Sequence, residues 1–474
     1  MTGMRRSLLL LTLVLASLPL FAGTGRILIL NVDAPGVGFN DPTPATPVGG
    51  NDGVTLGQQR LNVFERAAYR WQNVLDTNVD VRIRSTFVPL TCDDNGVVLG
   101  SAQTLSWDAN FPNAPLANTW YPAALANKLA GVDRLPSQED MLLRFNSALD
   151  TSACLGDRSW YYGFDGNEGD DDALYSVVLH EIGHGLGFAG RSTIDFVQGR
   201  PSIFDTHTFD LTAGLRWDQM TPPQREISST NTRNLVWDGA NVTRAAATLL
   251  QATTLLSVSA PASIAKDYEI GTASFGPPAN RGGLTGRAVP AQDAANTAGP
   301  SNTDGCTAFT NAAEVSGNIA VIDRGTCTFV EKALNAQTAG ATGVIVVDNR
   351  KDTCMPPSLG GNDDLVTIPA ISITQDDGAL LKGQFAAAEV RASLRLDPSR
   401  LAGASQQGFV RLYAPCTFNA GSSVYHFDTT SSPNLLMEPF INADLLDTTD
   451  LTTYLLMDIG WTQPARTGRR GLRR

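Results

Sequence analysis

Leu179-His-Glu-Ile-Gly-His-Gly-Leu-Gly-Phe188 decides the reading of this chain. Helical spacing runs from Ala173 to about Gly187. His180 and His184 are therefore one turn apart on the same face and can share one Zn²⁺, with Glu181 beside them to take a proton from water. The chain has 4 His in 474 residues, and half of them stand here. Two histidines at a buried helix end would be a plainer reading, and so would a closed structural zinc site, which leaves the adjacent Glu181 without a role. A catalytic zinc takes a third protein ligand and leaves its fourth position open. The remaining histidines, His207 and His426, are candidates, as are the carboxylates Asp195 and Asp205. Glu226 would serve a site that takes a Glu from a following helix.

Outward from this segment, Arg26–Val32 reads as a strand, and Leu61, Phe64, Ala68, Trp71 and Leu75 mark one helical face between Leu56 and Leu75. Val79–Phe87 alternates as a half-buried strand, and Asp140–Asn146 reads as another. From about Ser257 the texture changes to short β-rich runs between Gly/Ala/Pro turns, with one helical stretch from Val330 to Ala339. It reverts after about Pro398 and closes with a helical stretch from Asp450 to Ile459. The fold class is α+β: a mixed sheet carrying the zinc helix, interrupted by a β-rich α/β unit. The boundaries are 23–256, 257–398 for the insertion and 399–462, followed by a basic tail over 463–474.

The zinc helix with Gly187 resembles the metzincin pattern H-E-x-x-H-x-x-G-x-x-H, except that Gly190, which has no ligand, occupies the third-ligand position. Downstream stand Ser423-Val-Tyr-His-Phe-Asp428 and Asn434-Leu-Leu-Met-Glu-Pro439, then the last helix. That order resembles the leishmanolysin-like branch of the metzincins, in which the third His is displaced by an insertion. The resemblance implies His180, His184 and His426 as zinc ligands, Glu181 as general base and Met437 as the methionine of the turn beneath the metal. It also casts Asp140–Asn146 as the edge strand that aligns substrate. Gly317–Lys332, Asn335–Asn349 and Ile368–Ile373 are similar to a protease-associated (PA) domain, a non-catalytic module that implies shaping of substrate access or partner binding. A zinc endopeptidase acting on proteins or peptides is the expectation, and a catalytically silent binding module that keeps the fold is the alternative.

Composition is compatible with both. Hydrophobic residues make up 42% and charged residues 17%, with net charge −12, so the broad basic surface that nucleic acid requires is not expected. Arg5-Arg6, the leucine-rich run Leu8–Leu15 and the small-residue exit at Ala22 read as a secretory signal over 1–22. The run is shorter than the ~20 residues of a membrane span, so no span is expected in the mature chain. An even set of six cysteines in an oxidising compartment reads as disulfides. The acidic loop Asp165–Asp172 offers oxygens to Ca²⁺ without the EF-hand spacing; acids before a helix also suit its positive end.

Overall fold

The computed structural model describes residues 25–464 except 94–95, 152–153, 155–157, 279–283, 298, 352–353, 362, 442–444 and 446. The expected leader over 1–22 and residues 465–474 of the expected tail lie outside the described residues.

Strands β1 (Ile27–Asn31), β2 (Val81–Val88), β3 (Gly100–Thr104) and β4 (Met141–Asn146) form one sheet in the order β1-β2-β4-β3. The first three in that order are parallel, and β3 runs antiparallel to β4 at the edge. The expected edge strand is thus corrected: Met141–Asn146 is internal, and Gly100–Thr104 holds the edge. Its sequence, Gly-Ser-Ala-Gln-Thr, has no apolar alternation because neither face is fully buried.

Helix α1 (Leu56–Val74) starts at Thr55, whose hydroxyl accepts the Gln58 amide. It lays Phe64 among Phe39, Phe87 and Phe145, with Phe39 and Phe145 each centred 4.8 Å from the Phe64 ring. Helix α2 (Leu174–Leu186) packs beside it, and the Trp71 indole donates to the Leu179 carbonyl at 3.1 Å. The histidine helix is therefore fixed to α1 along its buried side. Beyond it, β5 (Thr208–Asp210), β6 (Leu215–Arg216) and β7 (Leu235–Trp237) make a small antiparallel sheet, and α3 (Ala240–Leu249) follows.

A second sheet then begins. It contains β8 (Ala252–Ala260), β9 (Lys266–Tyr268), β10 (Gly271–Thr272), β11 (Thr285–Pro290), β12 (Ile319–Asp323), β13 (Gly343–Val347), β14 (Ala370–Ile373) and β15 (Val390–Leu401). Their order is β9-β8-β15-β11-β12-β13-β14-β10. Helix α4 (Phe329–Thr338) crosses between the parallel strands β12 and β13. The long antiparallel pair β8/β15 brings both ends of this unit together, Ala252 opposite Leu401, a few residues outside the expected 257 and 398. Adjacent ends are what let a domain sit inside another without separating its halves.

The chain returns through β16 (Val410–Arg411), which adds to β7, and ends in α5 (Asp450–Ile459). The described cysteines all pair: Cys92–Cys154, Cys306–Cys327 and Cys354–Cys416. The last joins the inserted unit to the segment leading to His426. Among the described residues no helix is long and apolar enough to cross a membrane.

Phe64 has 0% exposure at the centre of its aromatic group. Phe64→Ala should cost about 3–5 kcal/mol by loss of transfer energy and creation of a cavity, read as a lowered denaturation midpoint of the α1-containing unit. A loss below about 1 kcal/mol would contradict this packing.

Candidate metal centre

Gly187, at φ 133°, ends α2 in a conformation that side chains rarely adopt. The chain turns back there, and the Phe188 carbonyl accepts from Nδ1 of His184 at 2.7 Å. Nδ1 of His180 donates to the Leu436 carbonyl at 2.7 Å, and Nδ1 of His426 to the Ser422 carbonyl at 2.8 Å. All three imidazoles thus spend their Nδ1 proton on a backbone oxygen, which leaves the Nε2 lone pairs as the free ligand atoms.

Those lone pairs face one another. Nε2 of His184 lies 3.1 Å from that of His180 and 3.2 Å from that of His426. Three acceptors pointed at one spot repel unless a cation stands between them. Nitrogens at 2.0–2.1 Å from a tetrahedral Zn²⁺ are ~3.3 Å apart, so the spacing fits that ion. These three form one group with metal-ligand spacing, all within 4.8 Å, among the described residues.

Burial sets the protonation of the site. It draws the histidines below their usual range, His180 to about 4 and His184 to about 3, and His426 is likewise drawn well down. They are neutral, as ligands must be. Glu181, only 6% exposed, is pushed up by burial to about 8. A cation beside it would favour its ionised form. The edge strand passes close to this carboxylate: a Cβ on Gly100 would stand 3.0 Å from Glu181 Oε1.

Met437 is fully buried beneath the helix, where a Cβ on Gly183 would lie 2.8 Å from its sulfur. The Met437 carbonyl accepts from the Phe427 amide at 2.7 Å, and the His426 carbonyl accepts from Tyr413 at 2.8 Å. The third histidine and the methionine turn are therefore held as one piece. Asp450, at the start of α5, accepts the Leu436 amide at 2.5 Å, next to the carbonyl that orients His180. Sequence reading did not single out Asp450, although an acid opening a helix after the Met437 segment is a usable signal.

Tyr425 was also missed, and it explains Gly190. The Tyr425 ring covers Gly190 so closely that a Cβ there would stand 2.2 Å from its hydroxyl, which donates to the Ser192 carbonyl at 2.9 Å. The space next to the helix that a local third ligand would need is filled by the residue preceding His426.

The other candidates lie elsewhere. His207 stacks near Trp237, with its Nδ1 3.4 Å from Asp238. Asp205 is buried on the Ser202 amide and hydroxyl at 2.7 and 2.6 Å, and burial raises its carboxyl to about 7. Asp195 is outside the histidine group, and Glu226 is exposed on a separate short helix. In the acidic loop, Asp165 accepts from Tyr161, Asp171 from Ser159 and Asp172 from Arg158. These carboxylates serve local contacts.

Residues 284–381 match the PA domain family, so the inserted sheet holds a PA domain. Aminopeptidase YwaD of Bacillus subtilis is 44% identical over 73 residues, 15% of this chain and 16% of the relative. The probable lipoprotein aminopeptidase LpqL of Mycobacterium tuberculosis is 37% identical over 122 residues, 25% and 21% of the two chains. The ER degradation-enhancing alpha-mannosidase-like protein 3 of Homo sapiens is 39% identical over 89 residues, 17% and 9%. The chain spans about a fifth or less of the length of these relatives, whose names describe different chemistries. A solved zinc aminopeptidase from Bacillus subtilis is 26% identical, covering 33% of this chain and 35% of that one, with a TM-score of 0.23. Such a superposition is too low to bear on the rest of the fold.

Two outcomes follow from the geometry. Because the histidines are already neutral between pH 5 and 7 and Glu181 is protonated there, zinc binding should displace about one proton, giving a slope of log affinity against pH near one. A slope that falls from near three at pH 5 to below one at pH 7, measured with a competing chelator, would mean histidines with ordinary pKa values of ~6.5. Gly190→Ala should push Tyr425 and its neighbour His426 aside and weaken zinc binding by about 10–100-fold. Gly360→Ala, where a Cβ meets nothing within 4 Å, should not.

Proposed function

We propose that this protein is a secreted, zinc-dependent endopeptidase of metzincin type, in the leishmanolysin-like branch. In this reading His180, His184 and His426 hold the metal, Glu181 is the general base and Met437 is the floor of the site. Residues 23–256 and 399–462 form one catalytic domain, and 257–398 is the PA insertion. The convergence of three Nε2 lone pairs beside a buried carboxylate and an open sheet edge carries the proposal.

Zinc held there would acidify a water and polarise a peptide carbonyl. Glu181 would accept the proton of that water and pass it to the leaving amine, a task suited to a carboxyl whose pKa lies near neutrality. The free side of β3 would align an extended chain by main-chain hydrogen bonds. A substrate lying along an edge strand passes the site with chain on both sides, which favours cleavage inside the chain. The aminopeptidase names among the relatives favour a peptidase in general; those likenesses cover 73 and 122 residues, about a fifth or less of either relative. The leader and the three disulfides support export.

The test is a quenched peptide with both ends blocked, set beside an aminoacyl anilide. The wild type should cleave the first and spare the second. Glu181→Gln should keep its zinc and lose at least about 100-fold in kcat/KM. Cleavage of the anilide alone would make it an exopeptidase, and zinc binding without any cleavage of proteins or peptides would favour the silent binding module.

A further inference from the structure

The inserted domain buries a lysine against a disulfide. Lys332, in the first turn of α4, has 0% exposure. Its Nζ donates to the Asp304 carbonyl and lies 3.4 Å from Cys306 Sγ and 3.3 Å from Cys327 Sγ. The three N–H groups of an ammonium thus meet three acceptors, two of which are the sulfurs of one bond. Burial draws the amine below the ordinary lysine range, while Asp304, Asp293, Asp323 and Glu331 favour its charged form.

Neutral disulfide sulfurs offset the desolvation of a buried ammonium poorly. A thiolate is a far stronger acceptor, so the same contacts gain most when the bond opens. The segment carrying Cys306 does not depend on the bond to stay in place. The Thr307 amide donates to Asp293 at 3.1 Å, the Asn335 side-chain amide donates to the Gly305 carbonyl at 2.9 Å, and Phe309 is buried in the same core cluster as Ile322 and Ala333. Both cysteines are half-buried, which leaves them within reach of a small thiol.

The two sulfurs are not equivalent. Cys327 directly precedes Thr328, the N-cap of α4, and so stands at the positive end of that helix, where a thiolate is favoured. Cys306 stands beside the Asp304 carboxylate, which accepts its amide at 3.2 Å and disfavours a second negative charge there. In thiol–disulfide exchange the more acidic thiol leaves faster, so an incoming thiol should bond to Cys306 and expel Cys327.

We propose that Cys306–Cys327 is a thiol-exchange site, which takes up a small thiol at Cys306 and releases Cys327 as a thiolate held by Lys332. The incoming thiol gives its proton to solvent, and its sulfur bonds to Cys306 Sγ as the Cys306–Cys327 bond breaks. The electron pair of the broken bond stays on Cys327 Sγ, beside the Lys332 ammonium. One sulfur–sulfur bond forms and one breaks, so the step needs no further oxidant or reductant. The site stands apart from the histidine group and does not rest on the peptidase reading.

The probe is mercaptoethanol together with its own disulfide, added to the full zinc-loaded protein and trapped with iodoacetamide for peptide mapping by mass spectrometry. The expected result is mercaptoethanol on Cys306 and the alkyl label on Cys327, in protein that keeps its native circular dichroism. Attachment to Cys327 instead, or opening only in protein that has lost that signal, overturns the proposal. Lys332→Met keeps much of the side chain's length without its charge, and should lower the equilibrium constant for opening about 10–100-fold. Lys266→Met, which removes an exposed partner of Asp377 in the same unit, should leave that constant unchanged. Equal constants in the wild type and Lys332→Met, or an equal fall in both variants, also overturns the proposal. The position of the label in the wild type decides the matter even where Lys332→Met fails to fold. None of these readouts uses peptide cleavage, so they stand whatever the histidine site does.

Discussion

Three imidazole lone pairs held facing one another are the constraint on which the rest of this structure depends. Each ring is fixed by a carbonyl on its far nitrogen: Phe188 from the turn at Gly187, Leu436 from the methionine turn and Ser422 from the loop before His426. These carbonyls come from parts of the chain about 240 residues apart in sequence, as do His184 and His426 themselves. Without a cation the arrangement opposes folding through lone-pair repulsion and the burial of polar rings. With one, the same geometry becomes folding energy. The helix packing through Trp71 and Phe64, the Met437 floor and the Asp450 contact all hold that convergence in place.

The insertion is compatible with such a site because its ends meet. β8 and β15 run side by side to Ala252 and Leu401, so the two flanking segments have a narrow gap to bridge rather than a long one. The base of the insertion is then stitched to the strap between His426 and Met437 through Gln251 and Ser432. The Cys354–Cys416 bond adds a covalent tie to the segment ten residues before His426. Through these links the PA unit and the strap carrying the third histidine are mechanically continuous.

Much of the site was legible because its chemistry is local or rare. A one-turn spacing of histidines on a helical pattern is visible directly, and in a chain with so few histidines the third had few places to come from. Met437 was singled out through the resemblance, and the final helix through its own pattern over Asp450–Ile459. The sheet edge was not: strand periodicity detects burial, and Gly100–Thr104 is half-exposed on both faces, whereas the better-patterned Met141–Asn146 is internal because it is buried. Tyr425 over Gly190 was also beyond reach, since it is a contact between residues 235 positions apart that leaves only a glycine as its local trace. The expected leader and the extreme tail lie outside the described residues.

The central claim is that one zinc ion is held by three histidine nitrogens, one of them from His426. X-ray absorption at the zinc edge counts those ligands directly. The account predicts three imidazoles at about 2.0–2.1 Å in the wild type, and a weakened or lost site with two in His426→Ala. An unchanged imidazole count in that variant, or a first shell dominated by carboxylates or sulfur, would contradict it.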